Sequence, residues 1–189
     1  MQRIKCTVIG DYHVGKTSVI YSYINKSLED VQTTLGIDFF TKSVRVEKKS
    51  AILTIWDTAG SERFQSLTDS YLRDSDLVII VYDMSKRKSN ISYWMRRAEQ
   101  HHPHTIGILG NKDDLTRGFN DDLADILYPW TRQNWKFVTG YCSSRRPTSV
   151  KTFFKRCLHS VVSNEIEMPK FVPVISLKAK KSKSRTCCS

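Results

Sequence analysis

Gly10-Asp11-Tyr12-His13-Val14-Gly15-Lys16-Thr17 fits the pattern G-x-x-x-x-G-K-[ST] and continues into Ser18. In such a loop the backbone N–H groups turn inward around phosphate, Lys16 reaches the β and γ phosphates, and the Thr17 hydroxyl offers a ligand to Mg²⁺. Far downstream stand Asp57-Thr58-Ala59-Gly60 and then Asn111-Lys112-Asp113-Asp114. A carboxylate at Asp114 accepts hydrogen bonds from both the ring N–H and the exocyclic amine of guanine, a donor pair that adenine lacks, while the Lys112 stem lies along the base. Taken singly, each run has a plainer reading, a chance match in a surface turn or an Asn/Asp turn that ends a strand. In this order together they point to a guanine-nucleotide switch.

The elements around these residues suit that chemistry. Ile4 to Ile9 is a short apolar run and Ser18 to Ile24 is helix-compatible, so strand, loop and helix follow one another. Phosphate then meets the N-terminus of a helix, where unpaired N–H groups and the macrodipole favour anions. Asn111 follows the apolar run Thr105 to Leu109, at the strand end where open α/β sheets bind ligands. Further runs at Ala51 to Trp56 and Leu77 to Tyr82 alternate with helix-length polar stretches, which predicts a mostly parallel sheet covered on both faces. Val44 to Glu47 and Ala51 to Ile55, around a Lys48-Lys49-Ser50 turn, read as an antiparallel hairpin at its edge. A length of 189 residues with 40% hydrophobic content suits one domain plus a tail. No internal repeat or signal peptide is visible, and no apolar stretch approaches the roughly 20 residues that span a bilayer.

Thr34-Leu35-Gly36-Ile37-Asp38-Phe39, then Trp56 through Phe64, then Ser70-Tyr71-Leu72-Arg73-Asp74-Ser75 resemble the Rab branch of the Ras-like small GTPases, and the wording of the first and last runs is most similar to Golgi-associated members. The resemblance extends from about Arg3 to Val162. It implies a three-layer α/β P-loop NTPase G domain over residues 1–163, with a mostly parallel six-stranded sheet and one antiparallel edge strand, helices on both faces, and a separate tail over 164–189. It further implies that Thr34 closes onto Mg²⁺ and the γ-phosphate of GTP, that Gly60 meets the same phosphate through its N–H, and that Asp57 holds the ion through a water. Segments 28–38 and 59–74 then order with GTP and loosen with GDP. The partners so implied are effector proteins, an exchange factor, a GTPase-activating protein and the prenylation escort machinery. The implied location is the cytoplasmic face of an intracellular membrane, Golgi or vesicle, with a cytosolic pool.

Several residues depart from that family pattern. Where relatives carry the glutamine that orients the attacking water, this chain has Ser61, whose side chain is too short to bridge water and phosphate. Slow intrinsic hydrolysis follows, unless a partner protein supplies the missing group. Tyr12 and His13 replace small residues of the phosphate loop. His13 must then adopt a positive φ that glycine takes freely, and Tyr12 either obstructs an arginine finger or folds back to face solvent. Leu28 stands where relatives place an aromatic ring beside guanine, which predicts faster nucleotide exchange. The last guanine loop reads Ser143-Ser144-Arg145, held by Phe137-Val138 before it and by Val150 and Phe154 after it. Because Tyr12, Ser61 and Leu28 depart together, a non-cycling decoy that binds nucleotide or Rab regulators stands as the alternative to a cycling switch.

Phe39, Trp56 and Tyr71 match an aromatic triad that Rab proteins show to effectors, against the alternative that they are ordinary core aromatics. Beyond Asn164 periodicity fades. Lys178, Lys180, Lys181, Lys183 and Arg185 precede Cys187-Cys188-Ser189 without an intervening acid. A C-a-a-X box is absent because the fourth residue from the end is Thr186. The paired cysteines resemble endings that receive two geranylgeranyl groups, and two lipids beside a polybasic patch anchor stably where one does not. Beside that tail, the formal net charge of +11 is read as favouring a membrane rather than nucleic acid, since no recognition motif accompanies the charge. Cys6, Cys142 and Cys157 have neither pairing nor metal spacing, as suits a reducing compartment.

Overall fold

Every residue of Leu77–Asp83 and of Thr105–Asn111 is buried. Strands so apolar throughout need cover on both faces, and successive side chains must serve opposite cores. In the first of them, Leu77, Ile79 and Val81 enter one core while Val78, Ile80 and Tyr82 enter the other. The computed structural model describes residues 2–34, 36–60, 65–86, 89–116, 123–131 and 135–163, with backbone alone at 65–68, 124–125 and 131. Ser61, residues 164–189, and with them Cys187 and Cys188, lie outside the described residues.

The chain runs β1 (Gln2–Ile9), α1 (Lys16–Ile24), β2 (Ile37–Val46), β3 (Lys49–Thr58), α2 (Gln65–Leu72), β4 (Leu77–Asp83), α3 (Ile91–Glu99), β5 (Thr105–Asn111), α4 (Leu123–Thr131), β6 (Phe137–Tyr141) and α5 (Pro147–Val162). The strands form one six-stranded sheet in the order β2-β3-β1-β4-β5-β6. Only β2 runs antiparallel to its neighbour; the other pairs are parallel. One core lies under α1 and α5, where Ile20, Tyr23 and Phe154 pack on β1, β3 and β4. Leu72, Trp94, Met95 and Trp130 pack the other, bringing α2, α3 and α4 onto the opposite face. The mostly parallel sheet with one antiparallel edge strand is as the sequence predicts.

The edge hairpin differs in detail. Both strands are longer than the apolar runs suggest, and Val46 pairs with Lys49, so the connection is Glu47-Lys48 rather than Lys48-Lys49-Ser50. Both linking residues take positive φ, 48° and 68°. That is the primed two-residue turn whose twist matches a hairpin, made here without the Asn-Gly signal that would announce it. β2 also begins earlier, at Ile37, where it pairs with Thr58; its exposed alternate positions hide that stretch from a search for apolar runs.

Candidate functional site

Parallel strands deliver their C-terminal ends to one edge of the sheet, and the residues singled out above arrive there together. Gly10 follows β1, Thr58 ends β3, Asp83 ends β4, Asn111 ends β5 and Cys142 follows β6. Asp83 and Asn111 are direct register partners.

The phosphate loop closes tightly over this edge. At Gly10, with φ of 144°, a Cβ would sit 2.1 Å from the Val81 carbonyl oxygen, so only glycine fits. Gly15 caps α1, leaving the first turn of that helix open toward the cleft. Lys16 is 7% exposed, and its Nζ donates to the carbonyl oxygens of Gly10 and Asp11 at 3.1 and 3.0 Å. Burial pushes its ammonium down to about 8, against the pull of Asp57 and Asp11. A buried cation held only by carbonyls and distant acids is poised for an anion, which would restore the charge lost to desolvation. Gly60 lies against the same group: a Cβ there would meet Lys16 Nζ at 2.5 Å and Asp11 O at 2.7 Å.

Beside this lysine three oxygen groups converge. Thr17 Oγ1 donates to Asp57 Oδ2 at 2.6 Å, Thr34 Oγ1 donates to the same oxygen at 3.2 Å, and the two hydroxyls are 3.0 Å apart. Asp57 is fully buried, and its Oδ1 has no partner among the described residues. Burial raises its carboxyl above the usual range, countered first by the Thr17 hydrogen bond. Hard oxygen donors around a buried carboxylate with one unpaired oxygen fit a hard divalent cation such as Mg²⁺.

Asn111 binds the remaining loops to the first. Its Nδ2 donates to Val14 O at 2.9 Å and its Oδ1 accepts from Ser144 N at 3.0 Å. Lys112 Nζ donates to His13 O and to Asp83 Oδ2, both at 2.7 Å. Burial would push the Asp83 carboxyl up, but the Lys112 and Ser85 hydrogen bonds outweigh it and hold it low. At the outer end the Ser143 hydroxyl holds the Asp114 carboxyl below its usual range, and Arg145 lies 4.0 Å away. Asp114 therefore stays ionised, an acceptor on both oxygens.

Tyr12 is 50% exposed and meets the His13 ring edge-on at 3.9 Å. Both line the cleft with Gly15, Lys16, Thr17, Ser18, Thr34, Gly60 and Lys112. His13 has φ of 62°, the left-handed geometry expected of it, and is exposed. Val31 and Gln32, rather than Leu28, line this cleft. Phe39 is 63% exposed; its ring lies 5.5 Å from that of Trp56, which lies 4.9 Å from that of Tyr71. The three thus form one continuous aromatic strip across β2, β3 and α2. Cys6, Cys142 and Cys157 are buried and outside any disulfide among the described residues.

Two contacts escaped the sequence. Asp83 supports Lys112, and its only signal was an acid at the end of an apolar run. The Asp11 carboxylate bonds to Asn90 and Trp94 on the α3 side rather than joining the cleft lining.

A model of the Ras family matches residues 5–163. The chain is 33% identical over 180 residues to Ras-related protein Rab7 of Cenchrus ciliaris, covering 90% of this chain and 87% of the relative. It is 42% identical over 116 residues to Ras-related protein RABC2b of Arabidopsis thaliana, covering 58% of this chain and 57% of that one. With Ras-related protein Rab-22A of Mus musculus it shares 39% identity over 132 residues, 67% of this chain and 66% of the relative. Two of these three matches thus span less than two thirds of the relative's own length.

Proposed function

The chain belongs to the Rab family of Ras-like small GTPases, and on that premise we propose that it is a guanine-nucleotide switch of membrane trafficking whose GTP form recruits effector proteins. The observation that carries this reading is the buried Asn111 amide, which joins the phosphate loop at Val14 to the loop at Ser144 and so ties the proposed phosphate-binding and base-reading loops together at one edge of the sheet. Guanine is read at Asp114, with Lys112 along the base and the Ser143-Ser144-Arg145 loop beside it. Phosphate is held by the backbone of residues 10–18 and by Lys16. Thr17, Thr34 and, through a water, Asp57 would hold Mg²⁺, which when bound neutralises charge on the β and γ phosphate oxygens. Thr34 and the Gly60 N–H tether segments 28–38 and 59–74 to the terminal phosphate, and its loss releases both. Phe39, Trp56 and Tyr71 form the surface that effectors read.

Hydrolysis is slow in this reading, because Ser61 does not orient water and Tyr12 stands at the cleft mouth where an arginine would enter. Exchange factor and GTPase-activating protein set the cycle. Residues 164–189 form a basic anchor, lipidated at Cys187 and Cys188 with the escort machinery, that holds the protein on the cytoplasmic face of a Golgi or vesicle membrane. No helix among the described residues is long and apolar enough to cross a membrane, which accords with a peripheral attachment. The decoy reading draws on the same Tyr12 and on the left-handed His13.

Nucleotide released by denaturing the purified protein separates these readings. Stoichiometric GDP or GTP that turns over on incubation supports the switch. Bound GTP that persists indefinitely, or no nucleotide at all, supports the decoy, and adenine nucleotide rejects both.

A further inference from the structure

Asp11 sits within the phosphate loop, yet its side chain serves another network. Oδ1 accepts from Trp94 Nε1 at 2.8 Å and from Asn90 Nδ2 at 3.2 Å, while Oδ2 accepts from Asn90 N at 3.2 Å. Trp94 is 6% exposed and packs the core beneath α3. Asn90 holds the N-cap position of α3 but makes no cap bond of its own; its side chain is turned to Asp11 instead. One carboxylate thus gathers three donors from a helix anchored in the core, and charged acceptors make the stronger hydrogen bonds.

The backbone of the same residue supports the chemistry. The Asp11 carbonyl accepts from Lys16 Nζ at 3.0 Å, and Gly60 packs against it. Two residues further on, His13 holds φ of 62°, a conformation that resists most side chains and persists only where the surroundings impose it. Lys112 braces the His13 carbonyl and Asn111 braces that of Val14. Both braces belong to the base-reading loop, so the α3 contact is an independent support for the strained turn.

We propose that Asp11, Asn90 and Trp94 are positioning residues that hold the phosphate loop in its nucleotide-retaining shape against the strain at His13, so that they govern nucleotide release. This rests on the guanine-nucleotide reading above.

The test measures dissociation of fluorescently labelled GDP from the full chain with Mg²⁺ present. Trp94→Phe keeps the ring and removes the N–H, and release accelerates about tenfold, the factor expected for losing a hydrogen bond to a charged group. Asp11→Asn, which weakens the same carboxylate, moves release in the same direction and carries the comparison should Trp94→Phe fail to fold. In a His13→Gly background the strain is gone, and the effect of Trp94→Phe shrinks to about threefold or less, a coupling that a generic packing defect does not produce. Release unchanged in both single variants, or an equal acceleration in both backgrounds, overturns the proposal. A parent protein that retains no guanine nucleotide overturns the functional reading instead.

Discussion

Among single residues, Asp114 and Ser61 bear most on the proposed base recognition and hydrolysis. Asp114 is kept ionised by the Ser143 hydroxyl, so it presents two acceptors and no donor. Asp114→Asn replaces one acceptor with an amide donor. Affinity for guanosine nucleotides should fall by about two orders of magnitude, the cost of unpairing charged hydrogen bonds, while xanthosine nucleotides, which offer a carbonyl in place of the amine, gain. Competition binding checks both, and an unchanged guanine preference would place base recognition elsewhere. Ser61→Gln restores a side chain long enough to orient water, and single-turnover hydrolysis should rise on the order of tenfold or more. A variant no faster than the parent would mean that Ser61 does not limit the rate. The residues proposed to cradle phosphate and base were legible in the sequence because backbone wrapping and hydrogen bonding to a base fix residue type at fixed spacing. The Asp11–Trp94 and Lys112–Asp83 contacts were not, since partners so distant along the chain meet only through the sheet.

At the scale of elements, β1, β4 and β5 announced themselves because burial on both faces demands unbroken apolar runs. β2 announced only its end, Val44 to Glu47: it is an edge strand with exposed residues at alternate positions, and its turn takes positive φ at Glu47 and Lys48 without glycine. α4 hides in another way, since Pro129 lies inside it and removes a donor from its last turns. The core under α1 and α5 centres on Phe154, fully buried and stacked on Tyr23 at 3.9 Å between ring centres. Phe154→Ala should destabilise the protein by about 3–5 kcal/mol, read from the midpoint of denaturant unfolding. A loss under about 1 kcal/mol would mean that the site collapses around the truncation. Because α5 follows directly from the 143–146 loop, that defect should also loosen the base-reading end of the cleft.

At the scale of the whole molecule, the sheet gathers a phosphate loop, an oxygen cluster and a base-reading loop at one edge, and an aromatic strip lies on β2, β3 and α2. In the proposed switch a change at the terminal phosphate has a short path to the surface: Thr34 lies three residues before β2, and Gly60 lies against Lys16. On the proposed reading, the net charge of +11 favours anionic membranes at long range and complements the proposed lipid attachment of the tail. All of this depends on the cleft selecting guanosine triphosphate. Calorimetric titration of nucleotide-free protein with GTP and with ATP in the presence of Mg²⁺ tests that selection directly. The account predicts tight binding of GTP, weakened when Mg²⁺ is chelated, with ATP binding at least about a hundredfold weaker; equal affinity for the two nucleotides, or heat from neither, would contradict it.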